Sequence, residues 1–216
     1  MMTIKGKSIR DKKRNSLKHW DILLDRWQKA VDDYCKIADG DAPYWYNERA
    51  NVSVLAGAAW GCGWAALEEF QYEKTEIDES ERKRKVKKNT WNGRCDLFLC
   101  NKTDSELVEA KFKWLSLMSN DLVSGIERVL SAATKDASST KGDSSDRAIG
   151  VAFISLYIKS KHVNDVEQRI NDAIRMFPEV DADCFSWCFP KVHRHNKQGE
   201  YDNILPGIVM FAKVAK

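Results

Sequence analysis

The chain has 216 residues, 43% of them hydrophobic and 10% aromatic, and carries a formal net charge of +3. That length and apolar content suit one domain, or one domain with appendages, built on a real hydrophobic core. So small a charge excess does not by itself require a nucleic-acid partner, and its distribution along the chain is more suggestive than its sum.

Membrane and secreted classes are disfavoured. No apolar segment follows Met1-Met2-Thr3-Ile4-Lys5, so no secretory signal is expected, and a cytoplasmic location is the default. The longest uncharged stretch, residues 50–67, contains Asn51 and Ser53 and is broken by Gly61-Cys62-Gly63, which fits a buried helix followed by a strand better than a membrane span. The six cysteines (35, 62, 95, 100, 184 and 188) read as free buried thiols, because the chain is neither short nor visibly secreted.

Residues 1–14 are basic and poor in apolar side chains, and read as a loose arm ahead of a single domain over 15–216. Leu17, Trp20, Leu24, Trp27, Val31 and Tyr34 then recur at helical spacing, with Ser16 as a cap and Gly40 as the stop. Asp41-Ala42-Pro43 signals a second helix start, predicting a helix over 43–60 that carries Glu48. Residues 64–72 read as a strand, and 73–88 as a charged excursion, first acidic and then basic. A meander follows: a strand over 90–100, a turn at Asn101-Lys102-Thr103-Asp104, and a strand over 106–112. Asp121 caps the next predicted helix, with Leu122, Ile126, Val129 and Leu130 inward, and the Ser-, Thr-, Asp-, Lys- and Gly-rich residues 131–146 read as a flexible loop. Residues 148–158 are nearly all apolar, as in a central strand covered on both faces. Val163, Val166, Ile170 and Ile174 mark another helix closed by Pro178, and strands at 184–189 and 208–214 flank a polar loop with His193 and His195. This order predicts the α/β (α+β) class: a mixed β-sheet flanked by helices.

Two places in the meander need a chemical explanation. Asp96 lies within Gly93-Arg94-Cys95-Asp96-Leu97-Phe98-Leu99, and Glu109-Ala110-Lys111 lies within Leu107-Val108-Glu109-Ala110-Lys111-Phe112. Strand side chains alternate, so Glu109 and Lys111 share a face, and the intervening turn folds Asp96 back beside Glu109. Two adjacent carboxylates repel unless a cation lies between them. Mg²⁺ suits such a pair, with the Ala110 carbonyl as a further ligand, because it keeps several of its waters. A metal there would lower the pKa of a bound water and neutralise charge on a phosphate, and Lys111 would orient that water. The bland alternative is a salt bridge of Lys111 with Glu109 or Asp96 on a half-exposed sheet, although Val108, Ala110 and Phe112 suit a buried strand.

A glutamate in a preceding helix, Gly-Arg-x-Asp-Leu at one strand and Glu-Ala-Lys in the next resemble the PD-(D/E)XK nuclease superfamily, over residues 43–158. The resemblance implies a restriction-endonuclease-like αβββαβ core, here with an extra N-terminal helix. It implies a Mg²⁺-dependent endonuclease, with Mn²⁺ as a substitute, in which Glu48, Asp96, Glu109 and Lys111 are catalytic. Asp96, Glu109, Ala110 and Glu48 would hold the metal. Cys95 stands where the family's name-giving proline would be. Glu68 and Glu69 compete with Glu48 for the helical acid's role, and a solvated glutamate favoured by the helix dipole is a further alternative for Glu48.

The basic run Arg82, Lys83, Arg84, Lys85, Lys87 and Lys88, continued by Arg94, would grip phosphates beside such a site, or else be a solvated segment balanced by Glu73, Glu76, Asp78, Glu79 and Glu81. Cys184, Cys188, His193 and His195 match no established zinc spacing, and packing explains them better. The expected partner is nucleic acid, DNA before RNA, and, by analogy with nucleases of this fold that cut two strands, a second copy of the chain. The rival expectation is a non-catalytic nucleic-acid- or protein-binding regulator, of the kind found in phage or defence systems, that keeps the fold.

Overall fold

The computed structural model describes residues 2–75, 90–140, 146–196 and 202–215. The fold is mixed α/β, a seven-stranded sheet with helices on both faces. In chain order the elements are β1 (Ile4–Ile9), α1 (Lys18–Ile37), α2 (Glu48–Gly61), β2 (Ala65–Thr75), β3 (Thr90–Cys100), β4 (Ser105–Ser116), α3 (Leu122–Thr140), β5 (Arg147–Lys159), α4 (Val166–Met176), β6 (Cys184–Phe189) and β7 (Asn203–Val214). The strand order is β1-β6-β7-β5-β4-β3-β2. Only β4 and β5 pair in parallel, and α3 supplies the crossover that a parallel pair requires.

Each face of the sheet buries its own apolar layer. On one side Trp20, Leu24, Trp27 and Val31 of α1 and Val52, Leu55 and Ala59 of α2 pack on Leu97, Leu99, Val108, Ala110, Val151 and Phe153. On the other, Ile126 and Leu130 of α3 and Val166 and Ile170 of α4 cover Ala152, Ile154, Leu156, Val209 and Phe211. β5 contributes to both layers, which is why its sequence is apolar without alternation. Trp20 and Trp27 are wholly buried, and truncating side chains of that size typically costs about 3–5 kcal/mol.

Four expectations are corrected. The basic arm is not loose: Ile4–Ile9 forms edge strand β1, antiparallel to β6, and Arg10 donates to the carbonyls of Ala182 and Val180. Ser16 does not cap α1, because its hydroxyl donates back to the Lys13 carbonyl; the buried stripe also runs on to Cys35, while Tyr34 is exposed and donates to Asp41. Pro43 opens a separate 3-10 turn (Pro43–Trp45), and α2 starts at Glu48 with Asn47 as its cap, the Asn47 side chain accepting from the Ala50 N–H at 3.2 Å. The segment read as a flexible loop from 131 is helical through Thr140.

That last correction positions the candidate site, because α3 lies across β4 and β5. Its close approach is made possible by Gly150: a Cβ there would sit 2.4 Å from the Thr134 backbone nitrogen. Among the described residues no helix is long and apolar enough to cross a membrane. Because backbone cannot yield as a flexible side-chain tip does, Gly150→Ala is expected to destabilise the protein by about 1–3 kcal/mol. Urea denaturation followed by circular dichroism checks it.

Candidate active site

The candidate site lies where the sheet stops being regular. β3 and β4 pair from Cys100↔Ser105 to Leu97↔Val108, and the ladder then ends. On the other side of β3, pairing with β2 skips Glu69 and Asp96 before resuming at Phe70↔Cys95. Glu69 takes a left-handed backbone conformation, with φ of +53°, which for a non-glycine residue costs on the order of 1–3 kcal/mol. Asp96 therefore sits between two interrupted ladders.

The freed backbone groups of β4 are taken up by side chains. The Ala110 N–H donates to Asp96 Oδ2 at 2.7 Å. Glu48, in the first turn of α2, faces the Phe112 N–H, which favours its charged form. The Cys95 thiol donates to the Val108 carbonyl at 3.5 Å. In an extended strand a residue's N–H and C=O leave by the same edge, so the Ala110 carbonyl also faces the gap between β3 and β4. Asp96 is thus fixed by the strand edge, on which alternate residues 108, 110 and 112 present their polar backbone.

Glu109 and Lys111 share the face of β4 that meets α3. Glu109 is 3% exposed; Thr140 Oγ1 donates to its Oε1 at 2.6 Å, and Lys74 Nζ lies 2.7 Å from the same oxygen. Lys74 reaches it by lying across Gly93, where a Cβ would stand 2.7 Å from the Lys74 Cδ. Lys111 pairs with Asp136 of α3 at 2.7 Å. Burial raises the Glu109 pKa, and Asp96 raises it further, against the opposing pull of Lys74 and Thr140. Burial also raises the pKa of Glu48, which feels attraction from Lys111 and repulsion from Asp96. Burial works against the charge on Lys111, but Asp136, with Glu48 and Asp96 behind it, outweighs that and raises its pKa.

The structure thus brings Glu48, Asp96, Glu109, Ala110 and Lys111 into one neighbourhood. Glu68 and Glu69 are engaged elsewhere: Glu68 accepts from Ser53 at 2.7 Å, and Glu69 bridges Arg49 at 3.1 Å and Arg94 at 3.3 Å. The four-ligand metal set is not gathered as one cage, and among the described residues no three His, Cys, Asp or Glu side chains are arranged to hold a metal ion. Asp96 and the Ala110 carbonyl border the gap while the Glu109 carboxylate is buried on the α3 face, a small donor set that would suit a largely hydrated Mg²⁺ better than a fully protein-ligated ion. The fit requires Glu109 to exchange its present cation, Lys74.

Lys74, Asp136 and Thr140 are absent from the sequence-based site. Asp136 and Thr140 fall in the segment read as a loop; continuing the α3 stripe through Ala133 and Ala137 would have put both on a helix, one turn apart. No spacing rule points to Lys74. Arg94 is exposed and paired with Glu69, whereas Arg82, Lys83, Arg84, Lys85, Lys87 and Lys88 lie outside the described residues. Cys184 and Cys188 are buried free thiols, His193 bonds the Asp41 carbonyl at 3.0 Å and His195 lies 3.2 Å from Glu167. One further buried acid, Glu106, is held by Trp20 at 2.6 Å, His19 at 2.8 Å and Arg147 at 2.9 Å, and ties α1 to the sheet.

A carboxyl group whose pKa is higher folded than unfolded binds its proton more tightly in the native state. Its ionisation therefore opposes folding, and stability falls as pH rises from the ordinary glutamate value through the raised one. Glu109→Gln, which mimics the protonated acid, is accordingly expected to be more stable than the parent chain at pH 7.5, with the difference vanishing towards pH 4.5. Paired urea melts at the two pH values measure this. No family model, no curated protein and no solved structure matches the chain.

Proposed function

We propose that the protein is a metal-dependent nuclease of the PD-(D/E)XK type that hydrolyses phosphodiester bonds, with DNA as the favoured substrate. The observation that carries the proposal is that Asp96, anchored on the Ala110 N–H beside the gap between β3 and β4, interacts electrostatically with Glu48, Glu109 and Lys111. Asp96, Glu109 and the Ala110 carbonyl would hold Mg²⁺ or Mn²⁺, with Glu48 acting through water. When bound, such an ion lowers the pKa of a coordinated water and neutralises charge gathering on the phosphate.

The chain's own groups divide the remaining work. Lys111 has a raised pKa and stays an ammonium at neutral pH, so it donates hydrogen bonds. Its role is to orient the attacking water and stabilise the developing oxyanion, not to remove a proton. Asp96 is anchored by the Ala110 N–H and needs no reorganisation to present its second oxygen. Glu48, partly buried and with a pKa raised by that burial, would be the candidate to accept a proton from water. Lys74 neutralises Glu109, and would have to yield its place for Glu109 to hold a metal ion.

A second reading is favoured by one feature of the same site. Both basic side chains already have carboxylate partners, Lys74 with Glu109 and Lys111 with Asp136, so the cluster is satisfied as it stands. A non-catalytic binding protein that keeps this fold would show the same pairing, and would tolerate loss of Asp96 and Lys111 in binding assays.

Plasmid cleavage with Mg²⁺ or Mn²⁺, against EDTA, separates the readings. Lys111→Ala is expected to lower cleavage by at least about 100-fold with the thermal melt unchanged. Asp96→Asn can still accept from the Ala110 N–H, so it is expected to keep the fold and lose cleavage to a similar degree. Absence of metal-dependent cutting on duplex, single-stranded and branched DNA and on RNA would remove the enzyme reading.

A further inference from the structure

Lys74 reaches Glu109 from the edge of the sheet. β2 stands at one end of the strand order, beside β3, and Lys74 lies one residue before the end of β2, past the irregularity at Glu69. Its side chain crosses β3 through the space above Gly93, where a Cβ would meet the lysine Cδ, Cγ and Cε at 2.7 to 3.0 Å. Only 14% of that side chain stays exposed, and its ammonium ends 2.7 Å from Glu109 Oε1. The nearby Lys111 is turned instead to Asp136, at 2.7 Å. Among the described residues, then, Lys74 is the cation that Glu109 holds.

An ammonium and a metal ion that seek the same carboxylate repel each other, so each weakens the hold of the other. The lysine is tethered to the chain and is therefore present at every metal concentration. We infer that Lys74 is a built-in competitor for the metal position at Glu109, so that the free protein keeps its own site closed and takes up an ion only when the ammonium swings away. This inference rests on the proposed nuclease site, because it takes Glu109 as a metal ligand. The exchange needs no movement of the backbone, since the four-carbon stem of a lysine rotates freely once it leaves its seat over Gly93. If the released form makes up about one molecule in ten, the lysine lowers the apparent metal affinity about tenfold.

Titration with Mn²⁺ alone, followed by loss of the free ion's electron paramagnetic resonance signal, tests this without any cleavage step. Lys74→Met is expected to bind Mn²⁺ about tenfold more tightly than the parent chain. A merely structural role for Lys74 predicts the opposite, because a damaged site binds metal more weakly. In a Glu109→Gln background the same Lys74→Met change is expected to alter binding by less than about twofold, since the competition acts through Glu109. Lys74→Met that folds but binds no more tightly, equal tightening in the Glu109→Gln background, or no Mn²⁺ binding by any variant would overturn the inference. Should Lys74→Met fail to fold, Gly93→Ala decides by the same criterion: it keeps the lysine but fills its path, and is expected to tighten binding too. Lys74-dependent Mn²⁺ binding in a preparation that cuts nothing would support the competitor while removing the nuclease reading. Metal-dependent cleavage by a chain whose Mn²⁺ affinity ignores Lys74 would do the reverse.

Discussion

A backbone N–H that leaves a β-ladder inside a protein must find another acceptor, and on β4 the Ala110 N–H finds one. An unmet buried donor costs about 1–3 kcal/mol. The Asp96 carboxylate of β3 meets the need, and Glu48 of α2 faces the neighbouring Phe112 N–H. The parting of β3 and β4 thus both opens the gap and fixes an acid that lines it. Asp96 is therefore held in place by the fold itself.

The same gap explains the electrostatic tension around Glu109. A carboxylate buried so deeply is stabilised only by what touches it, and two elements contribute: Thr140 from the end of α3 and Lys74 from β2. Gly93 lets the lysine cross β3, and Gly150 lets α3 come close enough for Thr140 and Asp136 to reach β4. These contacts offset the burial only in part, since the Glu109 pKa remains raised. Unlike a fully satisfied ion pair, this arrangement keeps part of its cost, as is common where stability is traded for function.

Much of this was legible in the sequence because strands and helices bury themselves with different periods. The strand over Thr90–Cys100, the turn at 101–104, the doubly covered β5 and the strand Cys184–Phe189 follow from apolar runs bounded by polar turns. The shared face of Glu109 and Lys111 follows from the strand period, and both side chains meet α3. What escaped notice has physical reasons too. The second half of α3 carries its buried stripe on Ala133 and Ala137, weak signals among Ser, Thr, Asp and Lys. The Lys74–Glu109 contact depends on a distortion at Glu69 and a missing side chain at Gly93, two tertiary features that no local pattern encodes.

β1 has a consequence for how the chain is made. Gly6 lies beside Ser186, 180 positions later, and its own Cβ would collide with the Trp187 ring at 2.3 Å, so β1 can dock only once β6 exists. At typical synthesis rates of about 5–20 residues per second, β1 waits roughly ten to forty seconds for its partner. During that interval it is an unpaired edge, a ready template for pairing with another chain. Lys5 and Lys7, the charges that give this segment the look of a loose arm, discourage such pairing until β6 is in place.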